Sequence, residues 1–168
     1  MLNKKICMLG SFSVGKTALV QRFVRSIFSD QYLSSVGVKV SKKTINLSDD
    51  PLNLILWDLE GQDDYGGVNT SYIKGANGLF FVADGTRGDS LSTALTLRNN
   101  ALDILSPDTP NILIINKEDL QDQWEITDKV IGSLMNGGLK VFKSSAKTGF
   151  NVETIFTEMG KMTTGIDK

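Results

Sequence analysis

Short apolar runs recur along the chain, and most neighbouring runs are separated by enough residues for one helix. Five runs have the length of a strand, and most are apolar throughout, which is typical of strands covered on both faces of a sheet. They span residues 4–10, 53–57, 78–84, 111–116 and 140–144. A sixth segment, residues 38–47, alternates apolar and polar positions as a half-exposed edge strand does, with Lys39, Lys42 and Lys43 along its solvated side. The turn-forming residues 48–51 predict a hairpin to the next strand.

Amphipathic patterns between these runs predict helices at residues 16–25, 90–105, 126–135 and 152–162. In the last of them the apolar residues fall at i, i+3, i+4 and i+7, and Asn151 precedes it as a candidate N-cap. The alternation of strands and helices predicts an α/β fold with a mostly parallel six-stranded sheet, one antiparallel edge strand and helices on both faces. Because no repeat or linker interrupts the sequence, we expect residues 1–168 to form one domain that binds its ligand beyond the carboxyl ends of the strands.

The composition excludes several kinds of chemistry. The 168 residues include no His and one Cys, so imidazole catalysis, imidazole metal sites, disulfides within the chain and Cys-cluster zinc sites are ruled out. The one Cys, Cys7, lies in the first apolar run and is expected in the core. The 18 Lys and Arg residues nearly balance the 19 Asp and Glu residues, so no net charge favours nucleic acid or an anionic membrane. Without a spanning run, a secretory signal or a lipidation site at Leu2 or in the last six residues, the sequence indicates a cytoplasmic protein with no lipid anchor.

A phosphate-binding motif lies directly after the first apolar run. Residues 10–17 match the pattern Gly-x4-Gly-Lys-Ser/Thr, and an amphipathic helix follows at once. Glycine at the curl of the backbone lets successive N–H groups and the helix N-terminus point at one anion. Lys16 adds a positive charge for the β and γ phosphates, and the hydroxyl of Thr17 is a ligand for Mg²⁺. The alternative is a turn that merely joins strand to helix.

Two further polar segments follow later strands and favour guanine as the base. After the run 111–116, Asp119 offers a carboxylate that accepts two hydrogen bonds from the N1–H and the exocyclic amine of guanine, a donor pair that adenine lacks. Residues 145–147 begin the loop after the last strand, where a backbone N–H can donate to the guanine O6. Taken alone, each segment is equally well an ordinary polar loop. Their order and spacing relative to residues 10–17 favour the nucleotide interpretation.

Together these motifs resemble those of a small GTPase of the Ras superfamily, nearest to its Rab-like members, and the resemblance covers nearly the whole chain. It rests on residues 10–17, 57–62, 116–119 and 145–147, which occur in the family order. Residues 37–40 and 83–86 are more similar to Rab-like proteins of prokaryotes. The resemblance implies a Ras-like P-loop NTPase fold and a switch that binds GTP or GDP with Mg²⁺ and hydrolyses GTP.

The resemblance also implies roles for individual residues. Nucleotide contacts are implied for Ser13, Val14, Gly15, Lys16, Thr17, Ala18, Phe28, Ser35, Gly61, Asn116, Lys117, Asp119, Ser145, Ala146 and Lys147. Mg²⁺ ligands are implied for Thr17, Ser35 and Asp58. The catalytic residues implied are Gln62, which orients the attacking water, and Lys16, which stabilises charge in the transition state. Effector, exchange-factor and activator proteins are implied to bind the loops around Ser35 and Gln62.

Three positions depart from the family pattern. Phe12 stands where the motif usually has a small residue, and Leu59 and Glu60 replace the usual Thr and Ala before Gly61. A bulky ring and a carboxylate close to the triphosphate predict slow intrinsic hydrolysis and a poor response to activators that supply an arginine finger. Two alternatives stay open: a hydrolysis-deficient module that holds GTP or GDP and presents a constant surface, and a phosphotransferase or ATPase built on the same loop.

Overall fold

One β-sheet organises the part of the chain that the structure describes. A computed structural model describes residues 1–26, 38–48, 50–59 and 69–166. The strands are β1 (Leu2–Gly10), β2 (Lys39–Leu47), β3 (Asp50–Asp58), β4 (Gly78–Asp84), β5 (Asn111–Asn116) and β6 (Val141–Lys143). The helices are α1 (Lys16–Arg25), α2 (Thr70–Ile73), α3 (Gly88–Ile104), α4 (Asp128–Asn136) and α5 (Val152–Thr164), with a 3₁₀ segment at Glu118–Gln123. Among the described residues, no helix has the length and hydropathy of a membrane span.

The strands follow the order β2-β3-β1-β4-β5-β6 across the sheet. All neighbouring strands run parallel except β2 and β3, which pair antiparallel as a hairpin. In that hairpin Leu47 faces Asp50, so the turn is shorter than the turn-forming residues 48–51 suggest. Proline has no N–H to donate to a neighbouring strand. Pro51 is tolerated within β3 because the pairing of β3 with β1 begins only at the next residue, Leu52. The predicted fold, a mostly parallel sheet with one antiparallel edge strand, is confirmed.

Alternate residues of β1 face two separate apolar layers, which explains why this strand is apolar over most of its length. Ile6 and Met8 pack with α1 and α5 on one face of the sheet, whereas Cys7 and Leu9 pack with α3 and α4 on the other. All four side chains are buried, so helices cover both faces as predicted. Burial raises the pKa of the Cys7 thiol to about 12, as expected of an unreactive core cysteine.

An aromatic cluster holds α1 and α5 against the sheet. Phe23 of α1 and Phe156 of α5 stack with ring centroids 4.1 Å apart, and Phe80 of β4 meets Phe156 edge-on at 5.0 Å. All three rings are buried. Because α1 begins at Lys16, inside the phosphate-binding motif, this cluster also fixes that motif relative to the sheet.

Two local expectations are met only in part, because single side-chain contacts decide the details. Asn151 occupies the N-cap position of α5, but its side-chain amide donates to the carbonyl of Lys143 at 3.0 Å and makes no capping hydrogen bond. Lys43 lies on the edge strand β2, but its side chain is only 28% exposed. Its Nζ lies 4.1 Å from the centroid of the Phe23 ring and donates to the Phe23 carbonyl at 2.6 Å, so this lysine joins β2 to α1.

The carboxyl ends of the central strands bring polar residues to one edge of the sheet. Gly10 ends β1, Asp58 ends β3, Asp84 ends β4 and Asn116 ends β5. The last three are buried polar side chains, which need hydrogen-bond partners at this edge. The loops after these strands are therefore the place to search for a ligand site.

Candidate nucleotide-binding site

The loop between β1 and α1 curls around the first turn of the helix. Ser13 and Gly15 have positive φ angles of 63° and 105°, and α1 begins at Lys16. For Ser13, which is not glycine, this left-handed conformation costs about 1–2 kcal/mol. Backbone of this kind aims successive N–H groups into a concavity that binds anions, and the N-terminus of a helix adds a favourable dipole. The local geometry is therefore that of an anion-binding loop.

The amine of Lys16 lies inside this loop. The residue is fully buried, and its Nζ donates to the carbonyl of Gly10 and, at 3.4 Å, to the carbonyl of Ser11. A buried ammonium group is costly without hydrogen bonds or a counter-charge. A polyphosphate held by the same loop would lie beside this positive charge.

Asn116 ties the loop to the end of β5. Its side-chain amide donates to the carbonyl of Val14 at 3.0 Å, and its side-chain oxygen accepts hydrogen bonds from Ser144 Oγ at 3.0 Å and from the N–H of Ala146 at 3.3 Å. A Cβ atom at Gly15 would overlap the Asn116 amide nitrogen, so the close approach requires glycine at that position. One buried amide thus joins the loops after β1, β5 and β6.

A cavity of about 250 Å³ opens beside these three loops. It is lined by Leu120, which was not predicted, and by residues predicted to contact the nucleotide: Gly15, Ala18, Asn116, Lys117, Asp119, Ala146 and Lys147. Asp119 accepts a 2.7 Å hydrogen bond from Ser145 Oγ, which orients the carboxylate. Apolar walls with one carboxylate suit a flat heterocycle that carries hydrogen-bond donors. The structure thus brings the two base-recognition segments together around one cavity.

Lys117 links the base loop to the end of β4. Its Nζ lies 2.8 Å from Asp84 Oδ2 and donates to the carbonyl of Ser13 at 3.1 Å. Burial of Asp84 raises the pKa of its carboxyl, but the hydrogen bond from Lys117 and two hydrogen bonds from Thr86 outweigh burial, so the pKa lies below its ordinary value. The carboxylate is therefore charged at neutral pH and pairs with Lys117.

Thr17 and Asp58 bring a hydroxyl and a carboxylate together at the start of α1. Thr17 Oγ1 donates to Asp58 Oδ2, and Asp58 is buried. Mg²⁺ prefers such hard oxygen ligands and usually takes the rest of its shell from water and phosphate oxygens. The described ranges contain no group of three or more acidic, His or Cys side chains suited to a metal ion. The pair fits Mg²⁺ that is bound together with a polyphosphate.

Several predicted residues lie outside the described residues, and their roles stay predictions. They are Phe28, Ser35, Glu60, Gly61 and Gln62. Of the other two positions that depart from the family pattern, Leu59 is buried in the apolar layer under α3, whereas Phe12 is 39% exposed on the phosphate loop. Of these two positions, only Phe12 is exposed to solvent on the loop between β1 and α1.

Three residues that were not predicted from the sequence donate hydrogen bonds to the loops of the site. Arg22 of α1 donates from Nε to the carbonyl of Ala146 at 2.7 Å and from its terminal nitrogen to the carbonyl of Lys147. Trp124 donates from its indole nitrogen to the carbonyl of Lys117 at 2.8 Å. Arg87, after β4, donates to the carbonyl of Phe12 at 2.7 Å. No motif marks these residues, because each acts on a main-chain carbonyl, and a carbonyl is present at every residue.

The sequence is similar to those of known proteins of one family. Residues 5–164 match the sequence model of the Ras family. Ras-related protein Rab-4 of Dictyostelium discoideum is 33% identical over 153 residues, which cover 90% of this chain and 75% of that protein. Ras-related protein RABE1d of Arabidopsis thaliana is 29% identical over 159 residues, which cover 94% of this chain and 74% of that protein. Ras-related protein Rab-8A of Pongo abelii is 28% identical over 158 residues, which cover 94% of this chain and 76% of that protein.

The chain therefore belongs to the Ras family. Within that family it is a Rab-like small GTPase, which confirms the resemblance drawn from the motifs. The prokaryotic subgroup indicated by residues 37–40 and 83–86 stays a prediction.

Proposed function

We propose that this chain is a guanine-nucleotide-dependent switch that binds GTP and GDP with Mg²⁺ and hydrolyses GTP slowly. The observation that carries the proposal is one hydrogen-bonded unit: Asn116 bonds the phosphate loop at Val14 and also lines the cavity that Asp119 borders. A ligand that fills both parts must join a flat heterocycle to an anion, as a nucleotide does. Membership of the Ras family supports the same function.

Asp119 selects guanine by accepting hydrogen bonds from the N1–H and the exocyclic amine. Replacing a carboxylate acceptor by an amide donor in Asp119→Asn should lower GTP affinity by about 10- to 100-fold and raise the affinity for xanthosine triphosphate. Asp122→Asn is the matched control, because Asp122 is exposed in the same 3₁₀ segment and does not line the cavity. Equilibrium titration of GTP, ATP and xanthosine triphosphate measures all three preferences. Unaltered GTP affinity in Asp119→Asn would contradict the base assignment, and a wild-type preference for ATP would favour an ATPase or phosphotransferase.

Thr17 and Asp58 hold Mg²⁺ in the proposed site, and Ser35 is proposed to complete the shell when a γ-phosphate is present. The ion neutralises charge on the β and γ phosphate oxygens. In wild type, removal of Mg²⁺ by a chelator should therefore accelerate GDP release. In Asp58→Ala, GDP release should be fast already and nearly insensitive to Mg²⁺. If Mg²⁺ slows GDP release equally in wild type and Asp58→Ala, the metal assignment fails.

Hydrolysis in this site is proposed to rest on positioning and charge stabilisation, so it needs no His, a residue that the chain lacks. Gln62 is proposed to orient the attacking water, Gly61 to bond the γ-phosphate through its N–H, and Lys16 to stabilise developing charge. Single-turnover hydrolysis should be slow in wild type and slower still in Gln62→Leu. The rate should rise in Phe12→Gly and in Glu60→Ala, because each removes a group predicted to disturb the triphosphate. An unchanged rate in both variants would overturn the explanation of slow hydrolysis.

A hydrolysis-deficient binding module is the second candidate, favoured by the bulky, exposed ring of Phe12 on the phosphate loop. A switch must present different surfaces in its GDP and GTP forms, because a ligand that binds both states equally shifts neither. Hydrogen exchange of the loops around Ser35 and Gln62, which are proposed to bind effectors, exchange factors and activators, distinguishes the two candidates. Equal exchange in the GDP and GTP-analogue forms favours the module. The cytoplasmic location stays a prediction.

A further inference from the structure

Three consecutive carbonyl groups of the phosphate loop accept hydrogen bonds from side chains of other loops. Arg87 donates to the carbonyl of Phe12 at 2.7 Å, Lys117 to that of Ser13 at 3.1 Å, and Asn116 to that of Val14 at 3.0 Å. Lys117 and Asn116 belong to the base-recognition motif. Arg87 lies after β4 and belongs to no motif in the sequence.

These three bonds set the direction of the N–H groups in the loop. In a trans peptide unit the N–H points opposite to the C=O of the preceding residue. When the carbonyls of Phe12, Ser13 and Val14 face their donors, the N–H groups of residues 13–15 face the other side of the loop. Such a row of N–H groups is what an anion-binding loop offers to phosphate oxygens.

A buried carboxylate fixes the side chain of Arg87 in place. Asp84 Oδ2 lies 3.4 Å from Arg87 Nε and 2.8 Å from Lys117 Nζ, while Asp84 Oδ1 accepts bonds from the N–H and hydroxyl of Thr86 at 2.8 and 2.7 Å. The guanidinium group thus contacts Asp84 through Nε and the carbonyl of Phe12 through a terminal nitrogen. The rigid fork of arginine supports both contacts at once, which the single ammonium group of lysine does less well.

We propose that Arg87 is a positioning residue for polyphosphate, which orients the Ser13 N–H by holding the Phe12 carbonyl and places a positive charge beside the loop. This inference rests on the proposed nucleotide-binding function. It assigns Arg87 to the phosphate half of the site, and it assigns Asp84 as the anchor that Arg87 shares with Lys117.

The test separates phosphate positioning from a general effect on the fold. The dissociation rate of fluorescent GDP and the inhibition constant of guanosine, which has no phosphate, are measured for wild type and Arg87→Ala. The matched control is Arg98→Ala, because Arg98 likewise donates from its guanidinium group to a polar group, Asn111 Oδ1 at 2.8 Å, but lies on α3 away from the lining of the cavity proposed for the base. We expect GDP to dissociate about tenfold faster from Arg87→Ala, with the guanosine constant within about twofold of wild type. Arg98→Ala should match wild type in both measurements.

Two outcomes overturn the inference while the proposed function stands: an unchanged GDP dissociation rate in Arg87→Ala, or an equal loss for GDP and guanosine, which marks a merely structural arginine. A wild-type chain that binds neither GDP nor guanosine refutes the proposed function itself, and this inference with it. If Arg87→Ala does not fold, Arg87→Lys is measured in its place. This variant keeps the positive charge but loses the planar guanidinium group that makes two contacts at once, so GDP should still dissociate about threefold faster than from wild type. An unchanged dissociation rate overturns the inference.

Discussion

The side-chain amide of Asn116 donates a 3.0 Å hydrogen bond to the carbonyl of Val14, which lies 102 residues earlier in the chain. Asn116 is buried, and Ser144 and Ala146 hold its side-chain oxygen from the opposite side. The amide therefore has little freedom to move. This contact joins the loop proposed to bind phosphate to the cavity proposed to bind the base, so a change at either end should affect both.

Gly15→Ala should disturb this contact directly. The new Cβ would overlap the Asn116 amide nitrogen, and the φ angle of 105° is unfavourable for alanine. Strain and a lost buried hydrogen bond together should lower the free energy of unfolding by about 2–4 kcal/mol. Urea denaturation measures this change, and GDP titration should show a matching loss of affinity.

Gly132→Ala provides the control for that substitution. Gly132 lies within α4, and no atom lies within 4 Å of an added Cβ. Alanine should stabilise the helix there by about 0.5–1 kcal/mol. A similar destabilisation in both variants would show that the Asn116 contact does not determine the effect at Gly15.

The pH dependence of stability should reveal the role of Asp84. Its pKa is lower in the folded protein than in the unfolded chain, so the ionised carboxylate stabilises the fold at any pH above the unfolded value of about 4. That contribution is lost as the pH falls below 4 through the folded pKa. Asp84→Asn should therefore be much less stable than wild type at pH 7, and the difference should narrow towards pH 3.

Chemical denaturation at pH 7, 5, 4 and 3 under identical ligand conditions measures this difference. Asp103→Asn, an exposed position on α3, should stay within about 0.5 kcal/mol of wild type at each pH. If the difference in unfolding free energy between Asp84→Asn and wild type is constant over the whole pH range, the carboxylate does not stabilise the fold through its charge.

The sequence predicts the central elements of the fold closely. The observed bounds of α1, β4 and β5 coincide with residues 16–25, 78–84 and 111–116, because their apolar patterns end at glycine or polar residues. β1 and β3 extend further towards their N-termini than predicted, since backbone pairing, as between Asn3 and Asn53, does not require apolar side chains. The four-residue helix α2 is too short for helical periodicity to reveal.

The sequence predicts the parts of the site that motifs encode and misses the contacts between loops. Residues 10–17 and 116–119 stand out because their spacing is characteristic. Arg22, Arg87 and Trp124 do not, because each donates to a main-chain carbonyl, and a carbonyl is present at every residue. A signal was available for Asp84, a carboxylate at the end of a wholly apolar strand, which must be paired if it is buried.

Phe156→Ala should lower both the stability of the fold and the affinity for GDP, although Phe156 lies in the core. The ring stacks on Phe23 and meets Phe80, so its removal leaves a cavity and should cost about 3–5 kcal/mol of unfolding free energy. Because Phe23 fixes α1, GDP should also dissociate faster from the variant. Phe150→Ala removes a ring that is 45% exposed and should change stability by less than about 0.5 kcal/mol. Thermal unfolding and GDP release are measured for both variants. Equal effects of the two substitutions would refute the link between the aromatic cluster and GDP binding.

Arg22→Ala should weaken base recognition through the loop after β6. Arg22 donates to the carbonyls of Ala146 and Lys147, two of the residues that line the base cavity, across 124 and 125 positions of sequence. Without these charge-assisted bonds, which are worth about 1.5–3 kcal/mol when buried and less at this partly exposed site, the loop should lose its fixed position. We expect the dissociation constant for GDP to rise about fivefold to tenfold. Arg25→Ala removes the same charge from the exposed last turn of α1 and should leave affinity unchanged. If both substitutions weaken GDP binding equally, the effect comes from net charge, and Arg22 does not hold the base loop.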